Sequence, residues 1–210
     1  MNGFVAANTT LATAPLVPEI TLHLATEITP IWHATETFLH TEGLSPPFWA
    51  FAWPGSQALA RHILDNPALV AGRRVLDFAA GGGLAAIACA KAGAASVEAA
   101  EIDPLAADAT RLNASRNGVT VMTTARDVVG EPNRWDLILC GDVCYEAPMT
   151  GHILPWLRAM AQAGAEVWIA DPGRAYLPTE GLVPFATYAV PTTLELEDRT
   201  IRNTRLLRMT

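Results

Sequence analysis

Three groups of residues in this chain could act together on a ligand. The run Val75-Leu76-Asp77-Phe78-Ala79-Ala80-Gly81-Gly82-Gly83 reads as a buried strand entering a glycine turn, with an alanine-rich helix behind it. Residues without side chains let a ligand lie against the backbone, and the free amides at the helix start face it. About twenty residues further on comes Glu101-Ile102-Asp103-Pro104, a spacing that suits one βαβ unit. Glu101, nearer the strand, can accept hydrogen bonds from both ribose hydroxyls of a nucleoside, while Asp103 suits the cap of the helix that Pro104 opens. The third group is Gly141-Asp142-Val143-Cys144-Tyr145, at the end of an uninterrupted apolar run, where reacting groups are held in folds of this kind. Asp127, after another strand, is placed to meet the amino group of an adenine or to sit solvated in its loop.

These groups need elements to hold them. Residues 1–17 read as a frayed arm, and Ile20, Leu22 and Leu24 alternate with Thr21 and His23 as a short strand. A helix is predicted over 30–40, then an aromatic loop from Gly43 to Pro54 carrying Phe48, Trp49, Phe51 and Trp53. The next helix closes at Asn66-Pro67. From there strands and helices alternate: strands over 74–78, 97–101, 119–123, 135–141 and 166–170, and helices to about Ala92, from Pro104 to Arg116, and from Met149 to Ala163. Thr193-Leu194-Glu195-Leu196 and Thr204 to Met209 look like an antiparallel pair. This order predicts an α/β fold with a doubly wound, Rossmann-like sheet and right-handed crossovers, its ligand at the carboxyl ends of the strands. The division expected is an N-terminal arm and aromatic loop over 1–52 and a catalytic domain over 53–210.

Composition narrows the choices. Half of the 210 residues are apolar and 17% are charged, which excludes wholesale disorder. A formal net charge of −7 disfavours sequence-independent nucleic-acid binding, which needs a basic surface. Residues 1–60 hold Glu19, Glu27, Glu36 and Glu42 and no Lys or Arg, whereas the last twelve hold Arg199, Arg202, Arg205 and Arg208 and no acid. Cys89, Cys140 and Cys144 lie in apolar runs and read as buried thiols of a reducing compartment. No run is long and apolar enough to span a membrane, and no basic flank of a signal peptide precedes Arg61. The five histidines, His23, His33, His40, His62 and His152, show no metal-ligand spacing. A cytoplasmic monomer without a metal, bound to neither nucleic acid nor membrane, is expected.

The glycine turn reads D-x-A-x-G-x-G, the spacing of the S-adenosylmethionine-dependent methyltransferases, and not the G-x-G-x-x-G of dinucleotide binders. With Asp142 and Tyr145 forming D-x-x-Y, the chain resembles the seven-strand D-x-x-Y/F protein-lysine methyltransferases. More narrowly, it resembles the lysine methyltransferases of the electron-transfer flavoprotein β subunit and their bacterial relatives. The resemblance rests on Pro18-Glu19-Ile20, the block from Phe48 to Leu59, Asp65-Asn66-Pro67, the glycine turn, Glu101 to Pro104, Asn113, Trp135-Asp136-Leu137, Gly141-Asp142 with Tyr145, and Asp171-Pro172-Gly173-Arg174.

The resemblance implies a seven-stranded sheet, S-adenosylmethionine as cofactor and a protein lysine as acceptor, with the flavoprotein β subunit as the favoured target. A small-molecule amine or pyridine N-methyltransferase and a ribosomal-protein lysine methyltransferase are the alternatives. It places Trp53, Asp77, Ala79, Gly81, Gly83, Glu101, Ile102, Asp127 and Gly141 at the cofactor, and Asp142 and Tyr145 at the acceptor. A tryptophan face at Trp53 suits a sulfonium cation, whereas Trp49 and Phe51 are expected to be filler. Ala79 stands where the family has glycine, and is expected in an ordinary backbone region, with Gly81 and Gly83 making the close approach. An amine must be neutral to accept a methyl group, and a free lysine has a pKa of about 10.4. Asp142 would orient the amine by a hydrogen bond and Tyr145 would wall its channel. Arg174 either pairs with a nearby carboxylate in a rigid turn or borders the acceptor pocket.

Overall fold

The computed structural model describes residues 2–26 and 46–210. The helix expected over 30–40, His33, His40 and the start of the aromatic loop lie outside the described residues. A seven-stranded sheet organises the rest. Its parallel part comprises β3 (Arg74–Phe78), β4 (Ser96–Glu101), β5 (Met122–Ala125), β6 (Leu137–Gly141) and β7 (Glu166–Asp171). The antiparallel part comprises β8 (Leu182–Pro191) and β9 (Ile201–Met209). The order is β5-β4-β3-β6-β7-β9-β8, so the chain reverses direction across the sheet between β3 and β6. In register, Val75 lies beside Leu137 and Leu137 beside Glu166. The central strands are apolar on both faces because helices cover both: Leu76, Ile138 and Val167 point into one cluster, Val75, Leu137 and Leu139 into the other. Leu137, Ile138 and Leu139 are fully buried, and truncating one to alanine would cost about 2–5 kcal/mol.

The helices that place the site begin by different means. Helix α2 (Pro54–Asp65) has Pro54 in its first turn and no side-chain cap from Trp53, so its leading amides need partners from elsewhere. Helix α3 (Leu84–Lys91) starts directly from Gly83, which is left-handed. In α4 (Pro104–Arg116), Asp103 caps the helix by accepting the Leu105 amide at 2.8 Å. Helix α5 (Ala147–Gln162) follows β6. Among the described residues, no helix is long and apolar enough to cross a membrane.

Three expectations change. The stretch expected as a frayed arm is ordered over its described residues 2–17: it forms α1 (Asn2–Ala7) and β1 (Thr10–Ala14), which pairs with β2 (Val17–Leu24) in a separate hairpin. Val5 is fully buried with Trp49, Ala106 and Ala109, so one apolar anchor orders a segment whose composition is that of a coil. The segment from Thr193 to Leu196 is not a strand. Thr193 caps a helical turn, α6 (Leu194–Glu197), and the paired strands lie on either side of it. A four-residue alternation is too short to fix a period, and the cap decides the outcome. The third strand of the parallel run begins at Met122 rather than Val119, where Glu98 sets its register.

The hairpin is tied to the site through two asparagines one helical turn apart on α4. Asn117 accepts the Thr21 amide at 3.1 Å and donates to the Thr21 carbonyl at 2.6 Å. Asn113 accepts the His23 amide at 2.7 Å and donates to the Gly82 carbonyl at 2.8 Å, so one buried amide joins β2 to the glycine turn.

Candidate active site

The turn between β3 and α3 is held from below and from the side. Asp77 is buried under it, with Oδ2 accepting the Ala86 amide of α3 at 2.8 Å; burial pushes its carboxyl up to about 8. Asp77 therefore acts on the turn from within and does not form part of the cleft surface. Gly81 and Gly83 have φ of 55° and 79°, as the close approach requires. A Cβ on Gly82 would stand 2.9 Å from the Trp49 carbonyl. Thr110 donates to the Gly81 carbonyl at 3.0 Å. Ala79 departs from expectation: its φ is 54°, in the left-handed region. The turn's path demands that conformation whichever residue occupies the position, so alanine holds a glycine's geometry at a cost of about 1–2 kcal/mol.

Glu101 ends β4 beside this turn. Its Oε1 accepts the Gly81 amide at 2.6 Å and its Oε2 the Ile102 amide at 3.1 Å. Burial raises its pKa, opposed by those amide bonds. Ile102 follows with 74% of its surface exposed, an apolar face that a ligand could cover. Asp127 lies further along the rim, accepting the Val129 amide at 2.9 Å and pairing with His152 at 2.7 Å. Ala79, Gly81, Gly82, Trp53 and Gly141 all line one small cavity, which Leu22 and Leu24 of the hairpin help to close. Its volume, about 40 Å³, is about that of one water. A nucleoside would thus be only partly enclosed, with the rest lying along the open strand ends. Trp49 and Phe51 also line this cavity, although Trp49 is buried with the α1 cluster as filler would be.

Asp142 follows β6 with φ of 57°, and its amide donates to the Ala170 carbonyl at 3.0 Å. The carboxylate turns inward. Oδ2 accepts the Gly55 amide, supplying the cap that α2 lacks. Oδ1 accepts Arg174 Nε at 3.0 Å and Nη2 at 2.6 Å. Burial pushes the Asp142 carboxyl up to about 6 even though Arg174 and the Gly55 amide pull it down. Gly141 and Gly55 permit the contact: a Cβ on Gly141 would meet Ser56 N at 3.0 Å, and one on Gly55 would meet the Asp142 amide at 2.7 Å.

An aromatic wall rises over this group. Phe48 lies 6.0 Å from Trp53 and 5.9 Å from Tyr145, ring centre to ring centre, and both Phe48 and Tyr145 are exposed. Trp53 is fixed by its indole N–H, which donates to the Phe48 carbonyl at 2.8 Å. The Arg174 guanidinium stands 5.8 Å from the Trp53 ring. The fold therefore gathers Trp53, Gly141, Asp142, Tyr145 and Arg174 at one rim. Sequence reasoning missed Glu197, buried on α6, whose Oε2 accepts Arg174 Nη1 at 3.2 Å and Arg202 Nε at 2.9 Å. No local motif marks Glu197. Gly55 and Asn113 stood in recognisable motifs, but their partners are distant in sequence.

The cleft fits a nucleoside cofactor. Cβ-free turn residues give close backbone approach, Glu101 stands where ribose hydroxyls would arrive, and the Trp53 face borders the space between the turn and Asp142.

Comparison with known proteins agrees with this reading. The family model "Ribosomal protein L11 methyltransferase (PrmA)" matches residues 58–142. The electron transfer flavoprotein beta subunit lysine methyltransferase of Danio rerio is 39% identical over 83% of this chain and 68% of its own length. That of Xenopus laevis is 38% identical over 89% of this chain and 78% of its own. Among solved structures, the ribosomal protein L11 methylase of Lactobacillus delbrueckii subsp. bulgaricus superposes with a TM-score of 0.53 at 21% identity, covering 75% of this chain and 79% of that one.

Proposed function

Because this chain belongs to the family of electron transfer flavoprotein beta subunit lysine methyltransferases, we propose that it methylates lysine side chains of an electron-transfer flavoprotein β subunit. The chain is an S-adenosylmethionine-dependent methyltransferase. Bound to it, S-adenosylmethionine supplies a sulfonium methyl group, which passes to an amine nitrogen as the C–S electron pair returns to sulfur.

The protein's own residues would divide the work as follows. Gly81 and Gly83 admit the cofactor to the backbone, with Ala79 shaping the turn between them and β3. Glu101 holds the ribose, Ile102 and Asp127 border the adenine, and Trp53 and Gly141 flank the sulfonium end. Asp77 keeps the turn in shape from beneath. Tyr145 and Phe48 present apolar ring faces beside the site, and contact with them strips water from the amine head, which favours the neutral amine. Asp142 orients that amine. A carboxylate has about four acceptor positions; Arg174 takes two and the Gly55 amide one, which leaves a single position for the acceptor N–H. Orientation of this kind shortens the approach of nucleophile to methyl without requiring a strong base.

The observation that supports the proposal is the Asp142 carboxylate held by Gly55 and by Arg174, whose guanidinium stands 5.8 Å from the Trp53 ring, with the exposed Phe48 and Tyr145 packed beside that ring. An open aromatic rim suits a side chain presented by a protein surface. The match to the ribosomal-protein model spans residues 58–142 and leaves out Trp53, Tyr145 and Arg174.

The test is to incubate the purified chain with methyl-labelled S-adenosylmethionine and a purified flavoprotein, then map the label by peptide mass spectrometry. Label on lysines of the β subunit is the expected result. A β subunit left without label on its lysines overturns the assignment.

A further inference from the structure

We infer that Arg174, clamped by Glu197, is a positioning residue that offsets the charge of Asp142 in advance, so that the acceptor amine meets a carboxylate already paired with a cation and stays unprotonated. This inference rests on the proposed role of Asp142 toward the amine.

A carboxylate beside an amine creates a conflict. It orients the nitrogen through a hydrogen bond, yet it also favours the ammonium, whose lone pair is already bound to a proton. The structure resolves that conflict with an arginine. Both Nε and Nη2 of Arg174 converge on Oδ1 of Asp142, at 3.0 and 2.6 Å. The guanidinium keeps its charge at any working pH, so it offsets the carboxylate and disfavours a second cation nearby. It also stands over the Trp53 ring, 5.8 Å from the ring centre.

A purely structural part for Arg174 does not account for this arrangement. The Asp171-Pro172-Gly173-Arg174 turn is fixed by Asp171, whose Oδ1 accepts the amides of Gly173 and Arg174 at 2.6 and 2.7 Å. That turn would form with any side chain at its last position. Instead the Arg174 side chain runs back into the site, where Glu197, reaching in from α6 between the C-terminal strands, aims it. Arg202 of β9 in turn balances Glu197 at 2.9 Å and Asp198 at 2.7 Å.

The other groups facing the site are few. The loop after β6 brings the Cys144 thiol, which burial raises to about 12, with Tyr145 and Glu146, and β7 ends in Asp171. Helix α2 contributes the Gly55 amide and the Ser56 hydroxyl, the latter bonded to the Trp53 carbonyl at 2.9 Å. Arg174 is thus the cation placed directly on Asp142. Without it, Asp142 and the amine would share one tightly held proton and lose it only at higher pH.

The experiment measures kcat/KM for methyl transfer to the lysine acceptor between about pH 6 and 10, with cofactor affinity measured alongside by calorimetry. In Arg174→Gln, the rising limb of the profile should move upward by about one to two pH units. The rate should fall at least about tenfold near neutrality and recover in alkali, with cofactor affinity unchanged. Arg174→Lys should keep the limb in place, since it keeps the charge. In Glu197→Gln, which leaves Arg174 less compensated, the limb should move downward; this variant decides the matter if Arg174→Gln fails to fold. A rate lost by one factor at every pH in Arg174→Gln overturns the inference, as does a limb that rises or stays put in Glu197→Gln. Wild-type chain that labels no lysine at all would instead overturn the assigned function.

Discussion

The Gly55 amide at the start of α2 donates to the Asp142 carboxylate at the end of β6, so the first turn of a helix and the candidate acceptor residue hold each other in place. The pair makes Gly55 intolerant of a side chain. An added Cβ would stand 2.5 Å from Asp142 Oδ2, 2.7 Å from its amide and 2.8 Å from the Ala170 carbonyl. Glycine to alanine within a helix ordinarily gains about 1 kcal/mol. Here the contacts include backbone that cannot move aside, and overpacking costs about 1–3 kcal/mol. Gly55→Ala should therefore destabilise the protein despite its better helix propensity and lower methyl transfer further than it lowers stability. Urea unfolding beside a transfer assay checks this; a more stable, fully active variant would show that the Gly55–Asp142 contact is loose.

Asp142→Asn gives a complementary result. The carboxylate accepts on both oxygens, from Gly55 on one and Arg174 on the other. Asparagine can serve only one of these, and its amide nitrogen must face a donor on the other side. Leaving a buried donor unpaired costs about 1–3 kcal/mol, so stability should drop by that amount. Transfer should fall at least about a hundredfold, since the acceptor loses its orienting group. Cofactor affinity, which depends on the glycine turn and Glu101, should stay within about threefold of wild type. If affinity and transfer fall together, Asp142 serves the cofactor rather than the acceptor.

Much of the site could be read in the sequence because its parts lie at strand ends, and strand ends follow from hydrophobic runs. Asp77, Glu101 and Asp142 each close an apolar segment of β3, β4 and β6, and the sheet brings those ends together whatever the loops do. Glu197 could not be read. It reaches Arg174 only because β8 and β9 fold α6 back over the rim, and nothing within four residues of Glu197 signals that journey. The N-terminal hairpin escaped for a related reason. Its order comes from Val5 packing with Trp49, 44 residues on, and from two asparagines at the end of α4, Asn113 with His23 and Asn117 with Thr21, 90 and 96 residues apart. Ala79 shows the opposite limit: its side chain suggested an ordinary conformation, while the turn's geometry imposed a left-handed one.

That strain at Ala79 predicts a simple gain. Alanine at φ 54° costs about 1–2 kcal/mol relative to glycine. Glycine forfeits about 0.4–1 kcal/mol through greater freedom in the unfolded chain. The difference favours glycine, so Ala79→Gly should raise stability by up to about 1.5 kcal/mol, or about 3–6 °C in Tm. Cofactor affinity should hold or improve, because the turn is already in its binding shape. A Tm lowered by several degrees would mean that the Ala79 methyl group, which packs against the core beneath the turn, contributes more than its backbone strain costs.

The Asp77 carboxyl is pushed from 3.8 up to about 8, chiefly by burial, with Glu101 adding to the rise and the Ala86 amide opposing it. Between those values the folded protein holds a proton that the unfolded chain has released. Stability must therefore fall as pH rises through that window, by at most about 1.4 kcal/mol per pH unit for this group. Asp142, raised to about 6, slopes the same way over a shorter range. Asp136 runs opposite, lowered to about 2 by Arg74, but its contribution is complete above 3.8 and adds no slope here. Asparagine at position 77 can still accept the Ala86 amide through its carbonyl, and it carries no charge to bury. Asp77→Asn should thus be close to wild type in stability near pH 4 and progressively more stable than wild type toward pH 8. Urea unfolding at several pH values across the window measures the difference. A difference that stays constant with pH would place the Asp77 carboxyl in its ordinary range and remove burial as the dominant influence on it.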